Sequence, residues 1–234
     1  MPRIFVFAIQ DYNNAFVRFR SYNNLGIMNN YKISQGWGKT QKPVLKFVDK
    51  YRYTQNWFLV SEIRHYLDKF LDKSKENKIL EIGCFEGLSS VFFADNFIDN
   101  TKSCLTCVDP FLTVNNDHRK YLQNNEEMNF DFNISNCKNL DKITVHKITS
   151  DLFFIKNTQT YDFIYIDGCH QPDFIKRDME NSFNILEKNG IMWMDDYGGG
   201  DGIQIKNTMN AFLEKYAGKY ELIHKGYQLA IKKY

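Results

Sequence analysis

From residue 79 onward the chain alternates short apolar runs with stretches of helical periodicity, and this alternation restricts the possible folds more than any other feature. The runs Ile79–Ile82, Cys104–Val108, Ile143–Val145, Tyr161–Ile166 and Ile191–Met194 are strand-length and bounded by turn-forming residues. Between them the text supports helices over Leu88–Phe97, Phe174–Leu186 and Ile205–Tyr216, with a helical or irregular stretch around 115–137. Strands alternating with helices make a parallel sheet covered on both faces. The last two runs, Tyr220–His224 and Tyr227–Lys232, are joined through Lys225-Gly226. So tight a turn forces them antiparallel, because a parallel crossover needs about a dozen residues or more. The expected fold class is therefore α/β, a Rossmann-like doubly wound seven-stranded sheet, mostly parallel with a C-terminal antiparallel hairpin.

A chain of 234 residues has room for one sizeable core. Residues 1–50 show no sustained period and read as an N-terminal arm or lid, leaving 51–234 as the main domain. Apolar positions from Gln55 to Leu71 recur at helical spacing, which predicts a core-facing helix leading into the first strand of the sheet. The net charge of +2 is too mild to argue for nucleic acid as a partner, and none is expected on this reading. Five cysteines, an odd number without disulfide spacing, favour a reducing compartment, so the cytoplasm is expected. Cys104 and Cys107 lie three apart on a predicted strand and so point to opposite faces, which removes them as a metal or redox pair. The opening run Ile4–Ile9 is too short for a signal segment or a membrane span. Whether the chain self-associates is left open by the sequence.

In an open parallel sheet, ligands bind beyond the carboxyl ends of the strands, where the strand order reverses. The first such end here reads Glu81-Ile82-Gly83-Cys84-Phe85-Glu86-Gly87-Leu88-Ser89. A dinucleotide fingerprint would place glycines at 83, 85 and 88, and Phe85 and Leu88 occupy two of those places. That pattern weighs against a nicotinamide enzyme and suits a cofactor without a pyrophosphate. Asp109 stands at the end of the next strand, 26 residues after Gly83, where an acid can accept bonds from ribose hydroxyls.

Here the sequence resembles a known family. The segments Thr54-Gln55-Asn56-Trp57-Phe58, Ile79–Ser89, Cys107-Val108-Asp109-Pro110-Phe111, Tyr165-Ile166-Asp167-Gly168-Cys169-His170, Asp195-Asp196-Tyr197 and His224-Lys225-Gly226-Tyr227-Gln228 are similar to class I S-adenosylmethionine-dependent methyltransferases of the macrocin and catechol O-methyltransferase-like group. The similarity runs from about residue 54 to the end. It implies S-adenosylmethionine as cofactor, with Glu81 balancing its cationic amino-acid end and Gly83, Cys84, Phe85, Gly87 and Ser89 forming its loop. Asp109 would hold the ribose, Phe111 would cover the adenine ring, and Ser150, Asp151 and Asp167 would complete the cofactor contacts.

Asp167 closes one predicted strand and Asp195-Asp196 close the next, so three carboxylates converge at one mouth. Mutual repulsion would be relieved by a hard divalent cation such as Mg²⁺, which prefers oxygen ligands. In catechol-type relatives the matching positions bind such a metal, making Asp167, Asp195 and Asp196 the expected ligands. Asp196 departs from the asparagine common there. His170, three residues beyond Asp167, falls where those relatives carry a lysine base, and with Asp167 it forms the expected catalytic pair. His118, in the polar loop after Asp109, is a weaker candidate, while His65 and His146 read as structural. The glycine-rich run 198–202 suits an edge of the acceptor pocket.

The expected reaction is divalent-metal-assisted O-methylation of a hydroxyl on a sugar or other small molecule. Two alternatives stand beside it: a metal-independent methyltransferase acting on RNA or another macromolecule, and a non-catalytic module that binds cofactor or glycan.

Overall fold

In the computed structural model of the protein, the residues described are 5–10, 17–22, 28–32, 50–55, 57–111, 125–199 and 203–234. His118 and residues 200–202 of the glycine-rich run lie outside them. The chain divides into two compact units, Met1–Ser61 and Glu62–Tyr234, so residues 51–61 group with the N-terminal segment. That first unit carries an antiparallel meander of β1 (Phe5–Gln10), β2 (Val17–Tyr22) and β3 (Met28–Lys32), and a short 3₁₀ turn at Trp57–Val60.

The second unit holds a seven-stranded sheet. Its strands are β4 (Lys78–Ile82), β5 (Cys104–Val108), β6 (Ile143–His146), β7 (Tyr161–Ile166), β8 (Leu186–Met194), β9 (Tyr220–Lys225) and β10 (Leu229–Lys233), in the order β6-β5-β4-β7-β8-β10-β9. The first five run parallel, and β10 is antiparallel to both β8 and β9. Helices α2 (Leu88–Phe97), α3 (Glu126–Asn136), α4 (Ser150–Lys156), α5 (Pro172–Ile185) and α6 (Ile203–Lys215) connect the strands. Because β4 lies between β5 and β7, the strand order reverses at the carboxyl end of β4, which places Gly83 at the switch point.

The central strands are buried on both faces, as a parallel sheet requires. Ile79, Leu80, Phe163, Ile164 and Trp193 have no exposed surface. On one face Phe93 of α2 meets Phe163 and Tyr165 with ring centroids 5.7 Å apart. The opposite layer gathers Met179 and Phe183 of α5 with Met209 and Phe212 of α6. Each such side chain contributes about 1.5–3 kcal/mol on burial, and together they hold the strand ends in fixed register. Among the described residues no helix is long and apolar enough to cross a membrane.

Three local differences from the sequence reading have physical causes. The helix expected over 55–71 is broken, and of that stretch only Ile63–Tyr66 (α1) is α-helical, followed by a 3₁₀ turn at Leu67–Lys69. The backbone N–H of Ile63 donates to the side chain of Gln228 at 2.8 Å, so it does not continue a helix from the preceding turn. Helix α4 is too short to have left a periodic signal. It is marked instead by its cap, Thr149, whose hydroxyl accepts from the N–H of Leu152 at 3.4 Å. Strand β10 begins at Leu229, which leaves Tyr227 and Gln228 in the turn where their side chains are available to the site.

Candidate active site

The hydrogen-bond ladder of the sheet continues one residue past the strands. Asp109 N–H donates to His146, Gly83 N–H to Val108, Asp167 N–H to Ile82 and Asp195 N–H to Ile166, at 2.8–3.2 Å. Asp109, Gly83, Asp167 and Asp195 therefore stand in a row along the carboxyl edge, one strand spacing apart. From Asp109 to Asp195 is three spacings, roughly 14 Å. The sheet register alone gathers the Gly83 loop and the acidic residues into one mouth.

The cofactor-side residues form a tightly bonded turn. Gly83 has φ +86°, and a Cβ there would overlap the carbonyl oxygen of Asp167, so only glycine lets the two loops meet. Gly87, also at positive φ, opens α2. One Asp109 oxygen accepts from the N–H groups of Cys84 (2.8 Å) and Phe85 (3.0 Å), and the other from the N–H of Phe111 (2.7 Å). Asp109 thus shapes both flanking turns as well as lying where the ribose contact is expected. The Phe111 ring lies against Phe130, with centroids 5.0 Å apart.

Glu81 has no exposed surface, and its carboxylate accepts from the hydroxyls of Ser89 and Ser90 at the start of α2. Burial pushes its pKa up to about 7, against the lowering effect of the two serine bonds. In this structure Glu81 supports the loop from behind. Cys84 and Cys107 are packed beside it, and burial raises both thiols, which keeps them protonated and inert. Ser150 and Asp151 form the first turn of α4. Asp151 is engaged by the Arg177 guanidinium through two bonds at 2.9 and 3.0 Å.

Across the switch point, one ligand atom from each of Asp167, His170 and Asp196 falls within 4.8 Å of the others. His170 Nε2 lies 3.0 Å from Asp196 Oδ2, and the Tyr227 hydroxyl donates to Asp196 Oδ1 at 2.6 Å. Asp195 lies outside that trio. Its Oδ2 accepts from the Tyr165 hydroxyl at 2.8 Å, and its Oδ1 from Gln228 Nε2 at 3.0 Å and the Asp196 N–H at 2.8 Å. Burial first, then the neighbouring Asp195 and Asp196 carboxylates, hold Asp167 well above the usual carboxylate range. Burial and Asp196 raise Asp195 in the same way. Phe85, Phe111 and Asp196 are three of the five non-glycine residues with positive φ among those described, so backbone strain concentrates on the loops around this mouth.

A shallow depression, partly open to solvent, lies beside the acids. Ile175 of α5 and Ile205 and Met209 of α6 supply its apolar lining. Asp178 also lines it. This carboxylate is 3% exposed, and its Oδ1 has no hydrogen-bond partner. Burial pushes its pKa to about 6 from an ordinary value near 3.8. A carboxyl whose folded pKa is raised binds its proton more tightly folded than unfolded, so it costs stability as pH rises from about 4 through 6. Asp178→Asn is expected to stabilise the protein at pH 8 by on the order of 1–2 kcal/mol and to have little effect at pH 4. Denaturant unfolding at the two pH values checks this, and an equal effect at both would contradict it.

The sequence assigns no role to Tyr165, Asp178, Tyr227 or Gln228, although Tyr165, Tyr227 and Gln228 lie in segments that carry the family resemblance. Tyr165 could have been found there, because residues two apart on a strand share a face and Asp167 lies two beyond. Nothing in the sequence ties Gln228 to Asp195 across 33 residues.

A profile of the methyltransferase domain family matches residues 80–197, which spans half of the chain and contains Glu81, Gly83, Asp109, Asp167 and the Asp195-Asp196 pair. No curated protein matches the sequence. Among solved structures, the chain is similar to a candidate rRNA methylase from Clostridium thermocellum, at 15% identity over 72% of this chain and 92% of that one, with a TM-score of 0.56. It is similar to the O-methyltransferase TomG from Streptomyces achromogenes, in complex with SAM, at 15% identity, 74% and 80% coverage and a TM-score of 0.54. It is also similar to an O-methyltransferase from Bacillus cereus, in complex with SAH, at 14% identity, 74% and 82% coverage and a TM-score of 0.54. At these identities the likeness is one of fold. Sheet order, switch-point loop and family profile agree, and the chain belongs to the methyltransferase domain family, with the fold of class I S-adenosylmethionine-dependent methyltransferases.

Proposed function

We propose that the protein transfers a methyl group from S-adenosylmethionine to a hydroxyl of a small-molecule acceptor, such as a sugar, with the help of a divalent cation. The observation that carries this reading is the meeting of Asp167, His170 and Asp196 beside the Gly83 loop. The residues fit both groups. The donor set at the mouth is carboxylate-rich, as a hard divalent cation requires, and the loop at Gly83 lacks the glycines at 85 and 88 that a pyrophosphate needs. Asp167 and Asp196, with Asp195 adjoining, would hold the cation.

When bound, S-adenosylmethionine supplies an electrophilic methyl and the cation supplies positive charge that favours an ionised acceptor oxygen. The chain's own part is to orient the acceptor and to take up its proton. With Nε2 3.0 Å from Asp196 Oδ2, the His170 ring is held beside the acids, and the carboxylate would stabilise the imidazolium once the ring takes up a proton. The apolar lining from α5 and α6 excludes water from one side of the acceptor. TomG and the Bacillus cereus protein, both O-methyltransferases, support an oxygen acceptor by analogy of fold.

The test is mass-spectrometric detection of a singly methylated product when purified protein and S-adenosylmethionine meet a panel of glycosides and vicinal diols. Activity is expected to fall at least a hundredfold in EDTA and to return with Mg²⁺. Full activity in EDTA would overturn the role of the cation. Methylation of RNA with none of the small acceptors would overturn the acceptor class.

A further inference from the structure

We propose that Gln228 is a positioning residue, which acts through Asp195 to set the backbone turn that aims Asp196 at Asp167 and His170. The inference rests on the cation reading above. Gln228 sits in the turn between β9 and β10 and has no exposed surface.

A glutamine's two ends are usually assigned by their surroundings, and here the surroundings leave one choice. The Ile63 N–H and the Trp193 indole N–H, both donors only, converge on one end at 2.8 Å each, so that end is the carbonyl. The amide nitrogen is thereby turned toward Asp195 Oδ1 (3.0 Å), with the Tyr165 hydroxyl at 3.4 Å. Glu62 fixes the main chain at the same place by accepting the Gln228 N–H at 2.9 Å while engaging His224 Nε2 at 2.8 Å. The His224 ring in turn stacks on Trp193, with centroids 5.0 Å apart and planes 17° apart.

A buried amide with these bonds adds direction, because leucine would fill a similar volume without needing partners. The direction passes onward. Asp195 Oδ1 receives the Gln228 amide and also the N–H of Asp196, whose φ is +62°, in the left-handed region that non-glycine residues adopt uncommonly and aspartate more readily than most. With Oδ1 fixed by Gln228 and Oδ2 by Tyr165, Asp195 holds that turn, and the turn carries the Asp196 carboxylate to within 3.0 Å of His170.

The test uses the full chain and Mn²⁺ as probe, with free Mn²⁺ followed by electron paramagnetic resonance in the absence of S-adenosylmethionine. Gln228→Leu is expected to weaken Mn²⁺ binding ten- to a hundredfold, with S-adenosylmethionine affinity by calorimetry changed less than threefold. In an Asp195→Ala background the same substitution is expected to cost less than twofold, because the carboxylate through which Gln228 acts is gone. Trp193→Phe, which keeps a ring and removes one donor to the amide, is the milder variant and decides the matter if Gln228→Leu does not fold. It is expected to weaken Mn²⁺ at least threefold. Unchanged Mn²⁺ affinity in either folded variant, or the same loss with and without Asp195, would overturn the role of Gln228. A parent protein that binds no Mn²⁺ would overturn the cation reading itself, and this inference with it.

Discussion

Gly83→Ala is expected to cost the protein more than about 4 kcal/mol, or to fold with S-adenosylmethionine binding lost, because two separate penalties fall on one methyl group. The first is conformational. At φ +86° an L-residue with a Cβ is disfavoured by roughly 1–2 kcal/mol. The second is steric and larger, since the new atom would occupy the place of the Asp167 carbonyl, which is main chain and cannot rotate away. Gly218 separates the two. It has φ +80° and nothing within 4 Å of where a methyl group would stand, so Gly218→Ala isolates the conformational cost and is expected to lose only about 1 kcal/mol. Denaturant unfolding of both variants, with calorimetric titration of S-adenosylmethionine into Gly83→Ala, makes the comparison. Equal losses in the two would show that the contact with Asp167 is unimportant.

Asp167→Asn is expected to lower kcat/KM at least a thousandfold, about 4 kcal/mol of transition-state stabilisation, while leaving the fold intact. Burial and the neighbouring Asp195 and Asp196 carboxylates raise the Asp167 pKa, so the site disfavours its charged form. The amide keeps the volume and one acceptor oxygen but removes the charge. His170→Ala tests a different step, and a loss of 10²- to 10⁴-fold is expected for a proton acceptor. Should Asp167→Asn keep more than a tenth of the parent activity, the acidic cluster is not the reaction centre, and the family assignment would survive without it.

The fold was legible because its signals are local and repeated. Each parallel strand is a short apolar run buried on both faces, and the interval between β9 and β10 is too short for any but an antiparallel pairing. Asp109, Asp167 and Asp195 were legible for the same reason, since each is the first residue past a strand and the register of the sheet sets its place. What the sequence concealed was orientation. Glu81 and Asp195 occupy the expected positions, yet Glu81 turns inward to Ser89 and Ser90, and Asp195 turns to Tyr165 and Gln228. Side-chain direction depends on partners tens of residues away, and Gln228 becomes one of them only because β10 starts at Leu229. The interrupted helix before β4 has the same cause, because Gln228 takes the N–H of Ile63.

The close approach of Gly83 to the Asp167 carbonyl has a consequence for how such a chain can diverge. The junction of the Gly83 loop and the acidic loop is made by main-chain atoms, so its upkeep fixes one codon and no matched pair of side chains. Substitutions at Cys169, Ile175, Ile205 or Met209 can then reshape the cleft without a compensating change at Cys84 or Phe85. The lining of the cleft could therefore change one residue at a time while the Gly83 junction is kept.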